Sequence, residues 1–156
     1  MIEATLERMV GWMKDVTRRV ERLEAVETTS AGWVILPQAS RLTSTAWKGN
    51  ARSTTSATLI DMSAAFGAPA NIDAYVLRVT INDSGSAGGF PYIRFDNVAP
   101  DNTSPVVRCS GMANDSKVDS YPTISANADG DIYFDCAASG VGTLDVTVIV
   151  LGYHLR

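Results

Sequence analysis

The sequence predicts a mainly β protein: an antiparallel β-sandwich or jelly-roll head carried on an N-terminal coiled-coil helix. Three observations carry that prediction. Apolar residues recur at heptad spacing across residues 2–27. All five Glu fall within the first 27 residues and none after them. The rest of the chain is rich in Ser, Thr, Ala, Val, Asp and Gly, which disfavours helix and suits strands and tight turns. The 156 residues fit one globular domain plus a rod. The divisions fall at 1–27 for the helix, 28–32 for a linker (Thr28-Thr29-Ser30-Ala31-Gly32) and 33–156 for the head.

The helix comes first. Ile2, Leu6, Met9, Met13, Val16, Val20 and Leu23 succeed one another at alternating steps of four and three. This is the a/d seam of a coiled coil, with Leu6, Met13 and Val20 at a and Ile2, Met9, Val16 and Leu23 at d. A lone helix this short would leave the seam in water, so the pattern calls for several chains. Val10 at e and Trp12 and Val26 at g widen the apolar face, which favours more than two strands. Val at a with Leu at d would alone lean towards a dimer. An amphipathic helix packed on its own domain is the other reading, but that usually shows a wider stripe and looser spacing. The rod would be about 39 Å long at 1.5 Å per residue. Gly11 in mid-helix costs about 1 kcal/mol, for which close packing beside Trp12 is the available reason.

Arg19-Val20-Glu21-Arg22-Leu23-Glu24 places Arg19 at g and Glu24 at e. This resembles the Arg-apolar-x-x-apolar-Glu motif of parallel three-stranded coiled coils. There the Arg methylenes cover the core while the guanidinium reaches Glu on the next helix. The resemblance implies a parallel homotrimer.

The head comes next, as a chain of short strand signals near 33–36, 41–48, 54–61, 74–82, 91–96, 104–110, 121–126, 131–137 and 143–153. In the fourth, Tyr75, Leu77, Val79 and Ile81 alternate with mostly polar residues. In the last, Leu144, Val146, Val148 and Val150 share one face, and Asp145, Thr147, Ile149, Leu151 and Tyr153 the other. That second face runs from polar to apolar, as a strand would if it left solvent for an inter-subunit contact. Between the strands lie Gly67-Ala68-Pro69, Asn82-Asp83-Ser84-Gly85, Gly88-Gly89, Asn97 to Asn102, Asn114-Asp115 and Asp129-Gly130, all with turn chemistry. Asp129-Gly130 reads as a type I′ hairpin. Eight or nine strands at this spacing, without helical period, give an antiparallel sandwich or jelly roll. Trp33 and Trp47 sit in apolar strand contexts and are assigned to the core.

A parallel rod joined at once to a compact β head resembles the plan of bacteriophage tail-fibre, head-fibre and baseplate proteins. The closing Val146-Thr147-Val148-Ile149-Val150-Leu151-Gly152-Tyr153-His154-Leu155 is similar to the last strand of many phage structural proteins. It is similar also to that of the C1q and tumour-necrosis-factor jelly rolls, where the strand lines a trimer axis. The resemblance implies a virion protein, made in the host cytoplasm, with other virion proteins and a host-surface glycan as partners. The other reading is a free trimeric lectin-like or C1q-like binding module. One short coil fits a head, neck or baseplate appendage better than a long fibre.

Several chemistries are disfavoured. The net charge of −4, with no Lys/Arg cluster beyond the coil, argues against a nucleic-acid binder. The N-terminal segment is charged and amphipathic, unlike a signal peptide. Five Lys/Arg mixed with six Asp/Glu in residues 1–27 argue against a membrane-surface helix. No run is long enough to span a membrane. The one histidine, His154, has no local Ser, and there is no Gly-x-Ser-x-Gly, so hydrolase chemistry is not expected. Eleven Asp lie beyond the coil, mostly in turns, and paired glycosidase carboxylates are not evident. The chain is expected not to be an enzyme and to carry no cofactor.

Asn127-Ala128-Asp129-Gly130-Asp131 offers oxygens for Ca²⁺, but lacks the Gly and Glu of an EF-hand loop and reads as a turn. Asp96, Asn97, Asp101 and Asn102 form a second oxygen-rich stretch with the same reading. Gly85-Ser86-Ala87-Gly88-Gly89 lacks the Lys of a phosphate loop. Cys109 and Cys136 lie in phase with apolar neighbours. They read as buried free thiols or as a disulfide, without the His that a metal site would add. For ligand contact the best cluster is Tyr92, Arg94 and Asp96, alternating with Ile93 and Phe95 on one outward face, with Tyr121 as a second aromatic.

Overall fold

The computed structural model describes residues 32–156; the heptad residues Ile2 to Glu24, with Gly11 and Trp12, lie outside them. The described residues form a compact unit, Gly32–Arg156, of ten strands, one short α-helix and one 3-10 turn at Gln38–Ser40. These are β1 (Gly32–Ile35), β2 (Leu42–Arg52), β3 (Thr55–Ile60), α1 (Met62–Phe66), β4 (Ile72–Asp83) and β5 (Tyr92–Asp96). Then come β6 (Val106–Arg108), β7 (Val118–Ser120), β8 (Thr123–Ser125), β9 (Ile132–Ala137) and β10 (Leu144–Leu155). The linker's last residue, Gly32, is thus already in β1.

All pairings are antiparallel. In the larger sheet the long strands β4 and β10 lie side by side at the centre. β2 pairs with the first part of β10 and β1 with its last four residues, so the two share one edge. On the far edge β8 pairs with the start of β4 and β7 with its later part. The smaller sheet runs β3–β9–β5–β6. Counting each shared edge as one position gives two four-position sheets, and the chain crosses between them at every connection except β1–β2, β5–β6 and β7–β8, in jelly-roll order.

The long strands alternate because one face of each sheet is buried and the other is not. Tyr75, Leu77, Val79 and Ile81 of β4 and Leu144, Val146, Val148 and Val150 of β10 are almost fully buried. They meet Ile93, Phe95, Ile132, Phe134 and Cys136 from the smaller sheet in one core, with Trp47, Met62 and Phe66. Trp47 stacks edge-on with Phe134 at 4.9 Å, and the Arg52 guanidinium lies 3.6 Å from the Trp47 ring centre.

Several features depart from the sequence prediction. Trp33 is on the surface, 51% exposed. β1 is a four-residue edge strand, and its pairing sets Trp33 beside His154 on the outward face. The β10 alternation breaks at a bulge between Val150 and Gly152, which turns Tyr153 inward opposite the buried Tyr75 and leaves His154 outward. Asp129-Gly130 does not close a hairpin. β8 belongs to the larger sheet and β9 to the smaller, so the turn passes between sheets. Only Gly130 of the pair has positive φ, whereas a type I′ turn needs both. Helix α1 and strand β7 are additions to the predicted elements. Yet α1 has ordinary terminal signals: the Asp61 side chain accepts from the Ala64 N–H, and Gly67 closes it in the left-handed region at φ 69°.

Candidate functional site

β5 delivers Tyr92, Arg94 and Asp96 to the outward face of the smaller sheet, because Ile93 and Phe95 between them fill the core. Arg94 Nε donates to Asp135 Oδ1 at 2.8 Å, and its Nη2 pairs with Asp135 Oδ2. The register fixes this pair, since Arg94 lies directly opposite Asp135 of β9. Arg94 Nη1 also reaches Asn102 Oδ1 at 3.2 Å. Its hydrogen bond to Asp135 raises its already high pKa. The Tyr92 ring lies between two cations, with the Arg94 guanidinium carbon at 5.0 Å and that of Arg108 at 5.5 Å.

Asp96 is occupied differently. Its Oδ1 accepts from the Asn97 N–H and its Oδ2 from the Ser104 hydroxyl, which ties down the β5–β6 loop. Tyr121 is not with these residues. It lies between β7 and β8, on the edge of the other sheet, and is exposed there. The three β5 residues therefore form one face and Tyr121 another. Arg108, which carries no sequence signal of its own, joins the first: Tyr92 and Arg108 are directly opposed across β5 and β6. On this face Tyr92 and Arg94 are half-buried and Arg108 is exposed.

The oxygen-rich turn is self-satisfied. Asn127 Oδ1 accepts from the Asp129 and Asp131 N–H groups, and Asp131 Oδ1 accepts from the Met62 N–H. Tyr75 Oη donates to the Gly130 carbonyl at 2.7 Å, and burial followed by the Asp131 charge pushes its phenol upwards. Among the described residues no three His, Cys, Asp or Glu gather in a metal-holding group, and no helix is long and apolar enough to cross a membrane. Cys109 and Cys136 are both buried and free, and burial raises both thiols. His154 Nδ1 lies 2.7 Å from Asp73 Oδ1, and its ring meets Trp33 edge-on at 5.2 Å.

The end of the sandwich opposite β1 is organised by Asp83, which is fully buried. Its carboxylate accepts from the Gly85 N–H at 2.7 Å, the Ser139 N–H at 3.1 Å, the Thr143 hydroxyl at 2.9 Å and the Ser139 hydroxyl. Burial alone would raise this carboxyl, but the hydrogen bonds from Ser139, Gly85 and Thr143 outweigh it and hold it below the usual range. Ser86 Oγ donates to the Met112 and Ala113 carbonyls, binding the β4–β5 loop to the β6–β7 loop. On these tied loops Phe90, Met112 and Val141 are exposed.

No protein-family model matches the chain, and no curated protein matches it. The fold and its outward faces define a class, the antiparallel two-sheet β protein with structured end loops. A solved structure titled PRD1 vertex protein P5 is similar to it, with a TM-score of 0.44 and 14% identity over 82% of this chain and 100% of that one. Agreement this loose carries no argument about function.

Proposed function

We propose that the chain is a trimeric structural and adhesion protein of a virus particle. Residues 1–27 gather three copies and dock them, and the β head makes the surface contact. The observation that carries this reading is a heptad seam with an Arg19/Glu24 trimer-type pair, followed within a few residues by a jelly-roll head. The head's own polarity supports it. The chain enters at β1, while the loops bearing Phe90, Met112 and Val141 lie at the other end of the long β4–β10 pair, held by Asp83. A head entered at one end and contacting at the other suits projection from a particle.

The Tyr92–Arg94–Arg108 face is the contact proposed for a host-surface glycan, with aromatic faces for sugar rings and Arg94 and Asp135 for hydroxyls. No catalytic role is proposed for it. Co-purification tests the particle assignment: the protein is expected to travel with particles through a density gradient, and recovery only as free protein would favour a soluble lectin-like module. A glycan array tests the face. Binding by the full chain that is lost in Tyr92→Ala, with assembly intact, supports adhesion. Binding unchanged in Tyr92→Ala would move the contact elsewhere.

A further inference from the structure

We infer that the apolar end of the larger sheet's outward face packs against the same face of other copies of this chain. The inference rests on the trimer reading and adds to it an interface within the heads. Along β10 the outward residues run Asp145, Thr147, Ile149, Leu151. Along β4, in register beside them, they run Asn82, Thr80, Arg78, Val76, Ala74. Both strands go from polar to apolar in the same direction, towards β1. There β1 adds Trp33, 51% exposed, and Ile35, 68% exposed, opposite His154 and Gly152. Gly152 has no side chain, and Ile35 lies over it: a Cβ there would be 3.1 Å from Ile35 Cδ1.

This region has the make-up of an interface core, apolar and aromatic with a polar rim. Two polar pairs at its margin close within the protomer. Arg78 pairs with Asp119 at 3.3 Å, and Asp73 holds the His154 ring.

The occupant is set by the chain itself. The apolar end is where residues 1–31 join the head, because β1 begins at Gly32. Five linker residues at most span about 17 Å. In the proposed trimer the copies are joined through residues 1–27, and only residues 28–32 separate that segment from each β1. Those strands carry the two most exposed apolar side chains of the face. Loss of the coil would leave the face in water.

Hydroxyl-radical footprinting of the full chain, read residue by residue by mass spectrometry beside light scattering on the same sample, tests this. The expected result is a three-chain mass with Trp33 oxidised several-fold more slowly than in Ile35→Asp, while Ile35→Asp keeps its three-chain mass through the coil. Ile35 is largely exposed within one protomer, so this variant retains the fold. Phe90 serves as the internal reference and stays reactive in both. A three-chain mass with equal Trp33 reactivity in the two proteins overturns the head interface and leaves the coil reading standing. A single-chain mass overturns the trimer and the interface together. A single-chain mass with Trp33 protected would, besides overturning both, place residues 1–31 of the same chain over the face.

Discussion

The two ends of the larger sheet share the same pair of long strands and have opposite surfaces. Where β10 begins and β4 ends, the outward residues are Asp145, Thr147, Asn82 and Thr80, and beneath them a buried carboxylate, Asp83, binds the β4–β5 loop at Gly85 and the β9–β10 loop at Ser139 and Thr143. Where β10 ends and β4 begins, the outward residues are Ile149, Leu151, Val76 and Ala74, beside the exposed Trp33 and Ile35. At the first end the sheet's outward groups are polar and face water or one another, and the exposed apolar residues Phe90 and Val141 lie on the loops beyond the strands. The second exposes apolar surface that none of the described residues covers. The difference teaches that alternation marks the inner face along the regular stretches, while the gradient along the outside face separates a polar end from an apolar one.

The largest expected effect lies at the polar end. Asp83→Ala would strand the Ser139 and Gly85 N–H groups and two hydroxyls in a buried site, and should destabilise the head by about 3 kcal/mol. Urea unfolding checks this, and the mass of the assembly should not change. Asp83→Asn probes the same site through pH. Because the folded carboxyl is held low, its ionisation stabilises the protein fully above the unfolded value of about 3.9, and that contribution is lost as pH falls through the folded value. The stability gap between the native protein and Asp83→Asn should therefore be widest near neutral pH and shrink in acid. A gap that widens in acid would reverse the assignment.

At the apolar end, Gly152→Val should cost about 2 kcal/mol, because a Cβ there would sit 2.6 Å from the Val34 carbonyl oxygen and force β1 off β10. It would break the fold's edge and the exposed patch at once. Ile35→Asp sharpens the comparison, since it should leave unfolding within about 0.5 kcal/mol of the native value. Its effect belongs to head contact, read by footprinting. A small effect is also expected from Tyr92→Ala on the other sheet, below about 1 kcal/mol, because it removes partly exposed cation–π contacts and leaves the Arg94–Asp135 pair in place. Thermal melting would register it.

Much of the head is legible in the sequence because its long strands are buried on one face only. The alternations of Tyr75 to Ile81 and Leu144 to Val150 each identify a strand and its inward side, and the structure buries those residues. The polar-to-apolar change on the other side of β10 is legible too, as far as Leu151. The rest is hidden for physical reasons. A bulge resets the period without a residue that announces it, so strict alternation puts Tyr153 on the wrong face. Turn chemistry at Asp129-Gly130 is local and does not say which sheet the next strand joins. Trp33 resembles core by type, but an edge strand has neighbours on one side only. In the candidate site, the common face of Tyr92, Arg94 and Asp96 comes from period two. Its partners Asp135 and Arg108 depend on register across three strands, which one sequence does not reveal.

The assembly is the claim on which the rest depends, and absolute mass by light scattering on the full chain, taken across a dilution series, tests it most directly. Three chains per particle, persisting on dilution, is the predicted result. A mass of one chain throughout would contradict it, and the heptad residues would then have to pack within their own protomer.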